Sequence, residues 1–417
     1  MMDLRKKIMI IAPFWGNEKH VGHKRIERFI RWTSGKGFKV IIVNAGYKDL
    51  EIKKDWGLEI TIKDPTIKLG FNFTGGSSNE TRYYYLKSLL RKVLIFYVLP
   101  DVLALWSKKV VGHPLIQKQA GNVEIILSSS PPESAHIAAY NLAKGNNAKL
   151  VIDMRDGWLD DSLSKLLNKI PFRKKCEASL ENKILKRADY IFVTSIMWKQ
   201  LLNSRLTFTK NKTIVLTNGY PINFIPMERT DSINNEIILF HTGRFAGSRK
   251  SQKISILLDV LLNYSKTDMN KFNLVLLGDL EPEELKIISQ YRSKFLEYGW
   301  EISCNKAVPR KQMFKMLQEA NGLLLLSTSY AAVPSKLYEY IITKKPTLAI
   351  ALNESAVWGI GKKVPQIFLI DYKNYVGSDI PLMEYFQACK TGQFESDVPQ
   401  EFSDDYLAKT FLKALGI

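Results

Sequence analysis

Short apolar runs rich in isoleucine and valine recur along the chain and alternate with segments of helical periodicity. They fall at 7–14, 38–45, 58–63, 123–129, 150–154, 190–195 and 213–216, and again at 236–242, 274–278, 301–304, 323–326, 347–351 and 367–370. Their polarity alternates only loosely. Strands of a parallel sheet covered on both faces read this way, because both side-chain directions meet apolar partners. Helical patterns lie between them at 23–33, 132–144, 176–187, 253–264, 282–298, 310–320 and 335–343. Such alternation implies right-handed crossovers and a doubly wound sheet. At 417 residues the chain exceeds one core, since single cores rarely grow past about 250–300 residues. The turn-rich stretch 220–235, with Pro221, Pro226, Asn234 and Asn235, marks a boundary. Two α/β domains are expected, over 1–225 and 226–395, followed by a segment 396–417 whose residues 404–414 read as helix.

The charge is unevenly divided. Residues 1–225 hold 37 Lys and Arg against 19 Asp and Glu, whereas 226–417 hold 23 against 22, so nearly all of the net +19 belongs to the first half. That half calls for an anionic partner: nucleic acid, an acidic membrane surface, or a lipid-diphosphate acceptor. No recognised nucleic-acid module appears, so nucleic acid is not the expected partner. The composition, 46% hydrophobic and 24% charged, is that of a globular protein. Cys176, Cys304 and Cys389 have neither metal-ligand nor disulfide spacing, which fits a reducing cytosol. No signal peptide is evident. The longest apolar stretch, 93–106, is interrupted by Pro100 and Asp101 and falls short of a membrane span. Residues 82–118 interleave Tyr83, Tyr84, Tyr85, Leu89, Leu90 and Trp106 with Arg82, Lys87, Arg91, Lys108 and Lys109. Two readings stand: a basic amphipathic helix in an anionic membrane interface, or a helix packed on the first sheet with its basic face in water.

One strand–loop–helix passage is richest in chemistry. The run from Gly322 to Thr328 is followed by Ala332-Val333-Pro334-Ser335-Lys336-Leu337-Tyr338-Glu339-Tyr340. The first N–H groups of a helix lack intrahelical partners and the dipole is positive there, so this geometry suits phosphate. Pro334 and Ser335 favour a helix start. Lys336 adds a mobile positive charge, and Glu339, one turn in, can accept hydrogen bonds from two ribose hydroxyls.

This passage resembles the donor-binding element of GT-B glycosyltransferases, in particular the large retaining group called family 4. There a Pro-x-Lys-Leu-x-Glu-Tyr stretch opens the helix under the nucleotide diphosphate and its glutamate holds the ribose. Ile237 to Arg244, ending in Gly243-Arg244, resembles the first strand of that family's C-terminal domain. The family places a lysine shortly after, a role open here to Arg249 or Lys250. Leu274 to Asp279, with Gly278, resembles the next strand and its turn. Lys306-Ala307-Val308-Pro309-Arg310 resembles the loop near the base, and Leu216-Thr217-Asn218-Gly219-Tyr220 the interdomain turn. Ser128 to Pro132 and Asp153 to Trp158 resemble a polysaccharide-synthesis branch. Many members carry a further glutamate where Ala331 stands, near the transferred sugar, so sugar identity and stereochemical course stay open. The resemblance implies a GT-B fold, two Rossmann-like parallel-sheet domains facing across a cleft. It implies donor binding by Gly243, Arg244, Arg249, Lys250, Gly278, Val308, Ser335, Lys336, Leu337 and Glu339. The terminal helix is expected to cross back to the first domain.

Glycosyl transfer builds negative charge on the leaving phosphate, which a metal or fixed cations can neutralise. No Asp-x-Asp follows a strand. The expected route is therefore metal-independent and without cofactor, through Arg244, Arg249 or Lys250, and Lys336, with the nucleotide-diphosphate sugar as co-substrate. For deprotonating the acceptor, Asp156 stands at the carboxyl end of a buried strand, where such sheets place ligands. Arg155 either holds an acceptor phosphate or positions that base; both residues also fit a helix-capping role. Gly16 and Gly22 flank a loop that lets backbone approach the acceptor. His23 contacts the acceptor or the sugar, or caps the following helix. The expected activity is transfer of a sugar to a lipid-linked or growing cell-surface glycan by a cytoplasmic enzyme peripheral to the inner membrane face. The alternatives are a nucleotide-sugar epimerase or hydrolase on the same fold and, less favoured, a nucleic-acid-binding protein.

Overall fold

The computed structural model describes residues 6–17, 22–67, 97–160, 170–221, 237–245, 253–265, 271–377, 379–391 and 398–417. They form two compact units, Met1–Thr217 with Ala408–Ile417, and Asn218–Leu407. The division therefore falls at Thr217 rather than at 225, and the expected segment 396–417 is split. Its end joins the first unit because Phe411 stacks on Phe29 at 4.8 Å and packs against Trp32 and Phe192.

The first unit is built on eight strands: β1 (Lys7–Ile11), β2 (Lys39–Gly46), β3 (Leu50–Lys54), β4 (Gly57–Lys63), β5 (Val123–Ser130), β6 (Lys149–Met154), β7 (Tyr190–Val193) and β8 (Thr213–Val215). Their order is β3-β4-β2-β1-β5-β6-β7-β8. All neighbouring pairs are parallel except β3 with β4. β3 is an antiparallel addition at the edge of the expected parallel sheet. It is an edge strand with four of five residues exposed, so it lacks the apolar run that betrays the buried strands.

The second unit carries β9 (Ile237–Thr242), β10 (Phe272–Leu277), β11 (Trp300–Asn305), β12 (Gly322–Ser327), β13 (Thr347–Ala351) and β14 (Ile367–Asp371), in the order β11-β10-β9-β12-β13-β14 and parallel throughout. Its core is sealed by aromatic contacts. Tyr264 stacks on Phe386 at 3.6 Å and Phe272 on Trp300 at 4.2 Å, joining two helices to β10 and β11.

Each sheet reverses strand order once, beside its first strand: between β1 and β5, and between β9 and β12. Ligands of open α/β sheets bind outside the carboxyl ends of the strands at such a switch point.

Part of the stretch 82–118 lies outside the described residues. The rest forms helices Ala104–Gly112 and Pro114–Ala120. Trp106 is fully buried and its indole N–H donates to the Ile62 carbonyl at 3.1 Å, so this part packs on the sheet. Among the described residues no helix is long and apolar enough to cross a membrane.

Candidate functional site

In the second unit the switch point brings together the end of β9 and the start of helix Ser335–Ile342. Pro334 is the N-cap, in extended backbone, and Ser335 is the first helical residue. The helix is held against β9 by Tyr340. Its buried hydroxyl accepts from the Thr242 amide at 2.9 Å and pairs with the Thr242 hydroxyl at 3.0 Å.

Lys336 is less mobile than the sequence suggests. Its ammonium donates to the Thr242 carbonyl and lies 3.3 Å from His241 Nε2. His241 Nδ1 faces the Leu324 carbonyl at 2.9 Å, and since a carbonyl can only accept, Nδ1 carries the proton and Nε2 accepts from Lys336. Burial, reinforced by the Lys336 charge, holds the His241 imidazole well below its usual range, so it is neutral. Burial also pushes Lys336 down, to about 8, against the attraction of Glu339. His241 was missed in the sequence because no spacing pairs it with Lys336; only the strand–helix packing does.

Gly243 follows at φ +82°, and a Cβ there would stand 3.2 Å from the Lys336 ammonium. Gly278, in the turn after β10, backs it: a Cβ at 278 would meet the Gly243 carbonyl carbon and oxygen at 3.0 Å. Arg244 is exposed and lies 3.6 Å from Asp279, a loose surface pair. Arg249 and Lys250 lie outside the described residues. Leu337 is fully buried, so its side chain packs into the core. Val308 is partly buried in the loop between β11 and helix Arg310–Glu319. Ala331 is 2% exposed.

Glu339 is 8% exposed and pairs through Oε1 with Arg310 at 2.6 Å. Burial raises its pKa, opposed first by Arg310 and then by Lys336. The loop motif ending in Arg310 was visible in the sequence, but the pairing was not.

In the first unit a cavity opens at the β1/β5 switch point, lined in part by Phe14, Trp15, Gly22, His23, Ser129 and Arg155. Trp15 stacks on His23 at 4.4 Å, nearly parallel, and Asn44 holds the Trp15 carbonyl at 3.3 Å. Gly16 sits at φ +88° in the turn that follows Trp15. Gly22, at the start of helix His23–Ser34, does allow a close approach, but the group that fills it is Arg155: a Cβ at 22 would lie 2.1 Å from Nη1. The guanidinium donates to the Ser130 and Pro131 carbonyls at 2.8 Å each, fixing the β5 loop. Burial lowers the Arg155 pKa, while Asp156 and Asp153 support the charge.

Asp156 does not line this cavity. It lies near enough to Glu133 to act on it. Glu133 is pushed up to about 8, first by burial, then by Asp101, with smaller contributions from Asp156 and Glu177. At neutral pH Glu133 thus holds a proton, a state suited to acid–base work that its sequence context does not signal. Asp153, fully buried, takes a bidentate pair from Arg25 at 2.6–3.0 Å and a hydrogen bond from Ser129 at 2.7 Å. Arg25 also donates to the Leu216 and Thr217 carbonyls, at 2.9 and 3.0 Å. The pair is fully engaged and ties helix His23–Ser34 to the strand ends.

No protein-family model matches the chain, and no curated protein matches it by sequence. Solved structures do match. Sucrose-phosphate synthase from Thermosynechococcus elongatus aligns with a TM-score of 0.63 at 13% identity, over 99% of this chain and 94% of that one. Anabaena HepE, in complex with UDP and glucose, aligns with a TM-score of 0.59 at 12% identity, over 99% of this chain and 100% of that one. A glycosyltransferase from Rickettsia africae aligns with a TM-score of 0.55 at 16% identity, over 98% and 97%. At these identities the likeness is one of fold, and the fold is that of the GT-B glycosyltransferases.

Proposed function

We propose that the chain is a glycosyltransferase that moves a sugar from a nucleotide-diphosphate donor to a lipid-linked or growing cell-surface glycan. The observation that carries this reading is the convergence of Gly243, Lys336 and Glu339 at the β9/β12 switch point, beside the start of helix Ser335–Ile342. Phosphate oxygens suit the Gly243 backbone, the Lys336 ammonium and the amides near Ser335. A ribose suits Glu339, one turn deeper. Arg244 and Lys336, with Arg249 or Lys250, neutralise the leaving phosphate in a metal-independent, cofactor-free and retaining transfer. HepE, which shares the fold, was solved with UDP, and that supports a nucleotide at this site.

The first unit supplies the acceptor side. Trp15 and His23 offer an aromatic wall, Arg155 positions the loop, and Asp156 takes the acceptor proton. The net positive charge of 1–225 supports an anionic acceptor and a peripheral place on the inner membrane face. Salt-sensitive co-sedimentation with phosphatidylglycerol vesicles is expected; absence of binding at low salt removes the membrane part of the reading.

A thermal-shift screen against UDP-, GDP-, dTDP- and CDP-sugars tests the donor assignment, since stabilisation grows with the logarithm of ligand concentration over Kd. One donor is expected to stand out. No shift with any of them contradicts the reading, and release of free nucleotide without an acceptor turns it toward a hydrolase or epimerase.

A further inference from the structure

Arg310 is the first residue of helix Arg310–Glu319, which follows the loop after β11. Its side chain is 47% exposed, yet it reaches a carboxylate that is almost entirely buried, that of Glu339 on another helix. The Phe314 ring, one turn on, stands 5.2 Å from the guanidinium carbon. The guanidinium is thus held both by an aromatic face and by a charge-assisted hydrogen bond. That bond goes to Oε1. A carboxylate has about four lone-pair sites, so Glu339 can accept more hydrogen bonds while Arg310 stays in place.

We propose that Arg310 is a positioning residue for the nucleotide: it fixes one oxygen of Glu339, matches its charge, and so presents the carboxylate as an acceptor for the vicinal hydroxyls of a ribose. The site then selects ribonucleoside diphosphates. This rests on the donor assignment made above, and Arg310 acts through Glu339 rather than on the reacting atoms.

The charge balance gives the inference its consequence. Burial favours the protonated form of Glu339, and Arg310 is the largest opposing influence. Among the described residues, the other ionisable groups that act on Glu339 or feel its charge are Lys336 on its own helix and the Tyr340 phenol, which is bonded to Thr242 of β9. Without Arg310, Lys336 alone among the described residues opposes burial, and a carboxyl that keeps its proton has less acceptor capacity for the ribose. The loss is therefore greatest in acid and fades as pH rises.

The test is the affinity of the tightest binder among UDP, GDP and CDP for the wild-type chain, Arg310→Gln, Arg310→Lys and Glu339→Ala, measured between pH 6 and pH 8. For Arg310→Gln the expected result is about thirtyfold weaker binding at pH 6, narrowing toward pH 8, the equivalent of the roughly 2 kcal/mol lower end for truncating one partner of a buried charge pair. Arg310→Lys is expected to recover most of it, because an ammonium keeps the charge. If Glu339→Ala loses affinity while Arg310→Gln matches wild type at every pH, the inference falls and the donor assignment survives. A loss that is flat with pH and not recovered by lysine also overturns it. Tighter binding of dTDP than of all three ribonucleotides overturns the ribose selection. A wild-type chain that binds no nucleoside diphosphate overturns both inference and assignment.

Discussion

Gly243 and Lys336 occupy one another's space: a Cβ on residue 243 would stand 3.2 Å from the Lys336 ammonium, which donates to the neighbouring Thr242 carbonyl. The glycine that follows β9 and the lysine in the first turn of helix Ser335–Ile342 thus form one unit, and either is expected to fail without the other.

Gly243→Ala adds a methyl against that ammonium and puts an L side chain at φ +82°. The left-handed backbone costs about 1–2 kcal/mol. Displacement of Lys336 is expected to weaken nucleoside-diphosphate binding by about tenfold, the equivalent of roughly 1.4 kcal/mol. Calorimetric binding and a melting curve of the same variant check both numbers.

Lys336 carries a pH signature. Burial pushes its folded-state pKa down to about 8, while in the unfolded chain a lysine titrates near about 10.4. Above pH 8 the folded protein has released a proton that the unfolded chain still binds, so this group makes stability rise with pH up to the unfolded value. Diphosphate affinity moves the other way and falls as pH passes 8, because the charge is lost. Compared with Lys336→Met, wild type is expected to gain stability between pH 8 and 10 and to lose its advantage in affinity.

Gly22→Ala is aimed at the first unit. Its Cβ would overlap Arg155 Nη1 at 2.1 Å and push the guanidinium from the cavity beside His23. The acceptor KM is expected to rise about tenfold, about 1.4 kcal/mol, with donor affinity unchanged. Unchanged KM removes Arg155 and this cavity from acceptor binding.

Arg25→Ala leaves Asp153 buried and charged without its partner. Breaking a buried pair from one side costs about 3–5 kcal/mol, a large share of a typical domain's stability of about 5–15 kcal/mol. Urea unfolding is expected to show this loss, and Arg25→Ala with Asp153→Leu is expected to recover part of it.

Most of the fold was legible in the sequence because the buried strands of both sheets are parallel and covered, so each declares itself as an apolar run. β3 did not, since Leu50–Lys54 is an exposed edge. Helix Asp379–Thr391 was hidden because its outer face exposes Ile380 and Met383, which blurs the amphipathic period. Pro334, Ser335, Lys336 and Glu339 were legible as a helix start because their chemistry is local. What the sequence withheld was long-range pairing: His241 with Lys336, Arg310 with Glu339, and Arg25 with Asp153 join residues from different elements, and no local spacing encodes them. Arg155 shows the same limit. Its position after β6 was readable, but that it fills the gap at Gly22 was not.

The most direct measurement of the donor site is nucleoside-diphosphate binding by wild type and Glu339→Ala, with melting temperatures recorded in parallel. Because the substitution removes the proposed ribose acceptor and one partner of a buried charge pair, affinity is expected to fall by at least about tenfold, about 1.4 kcal/mol, while the chain still melts cooperatively. Equal affinity in the two proteins would contradict the account.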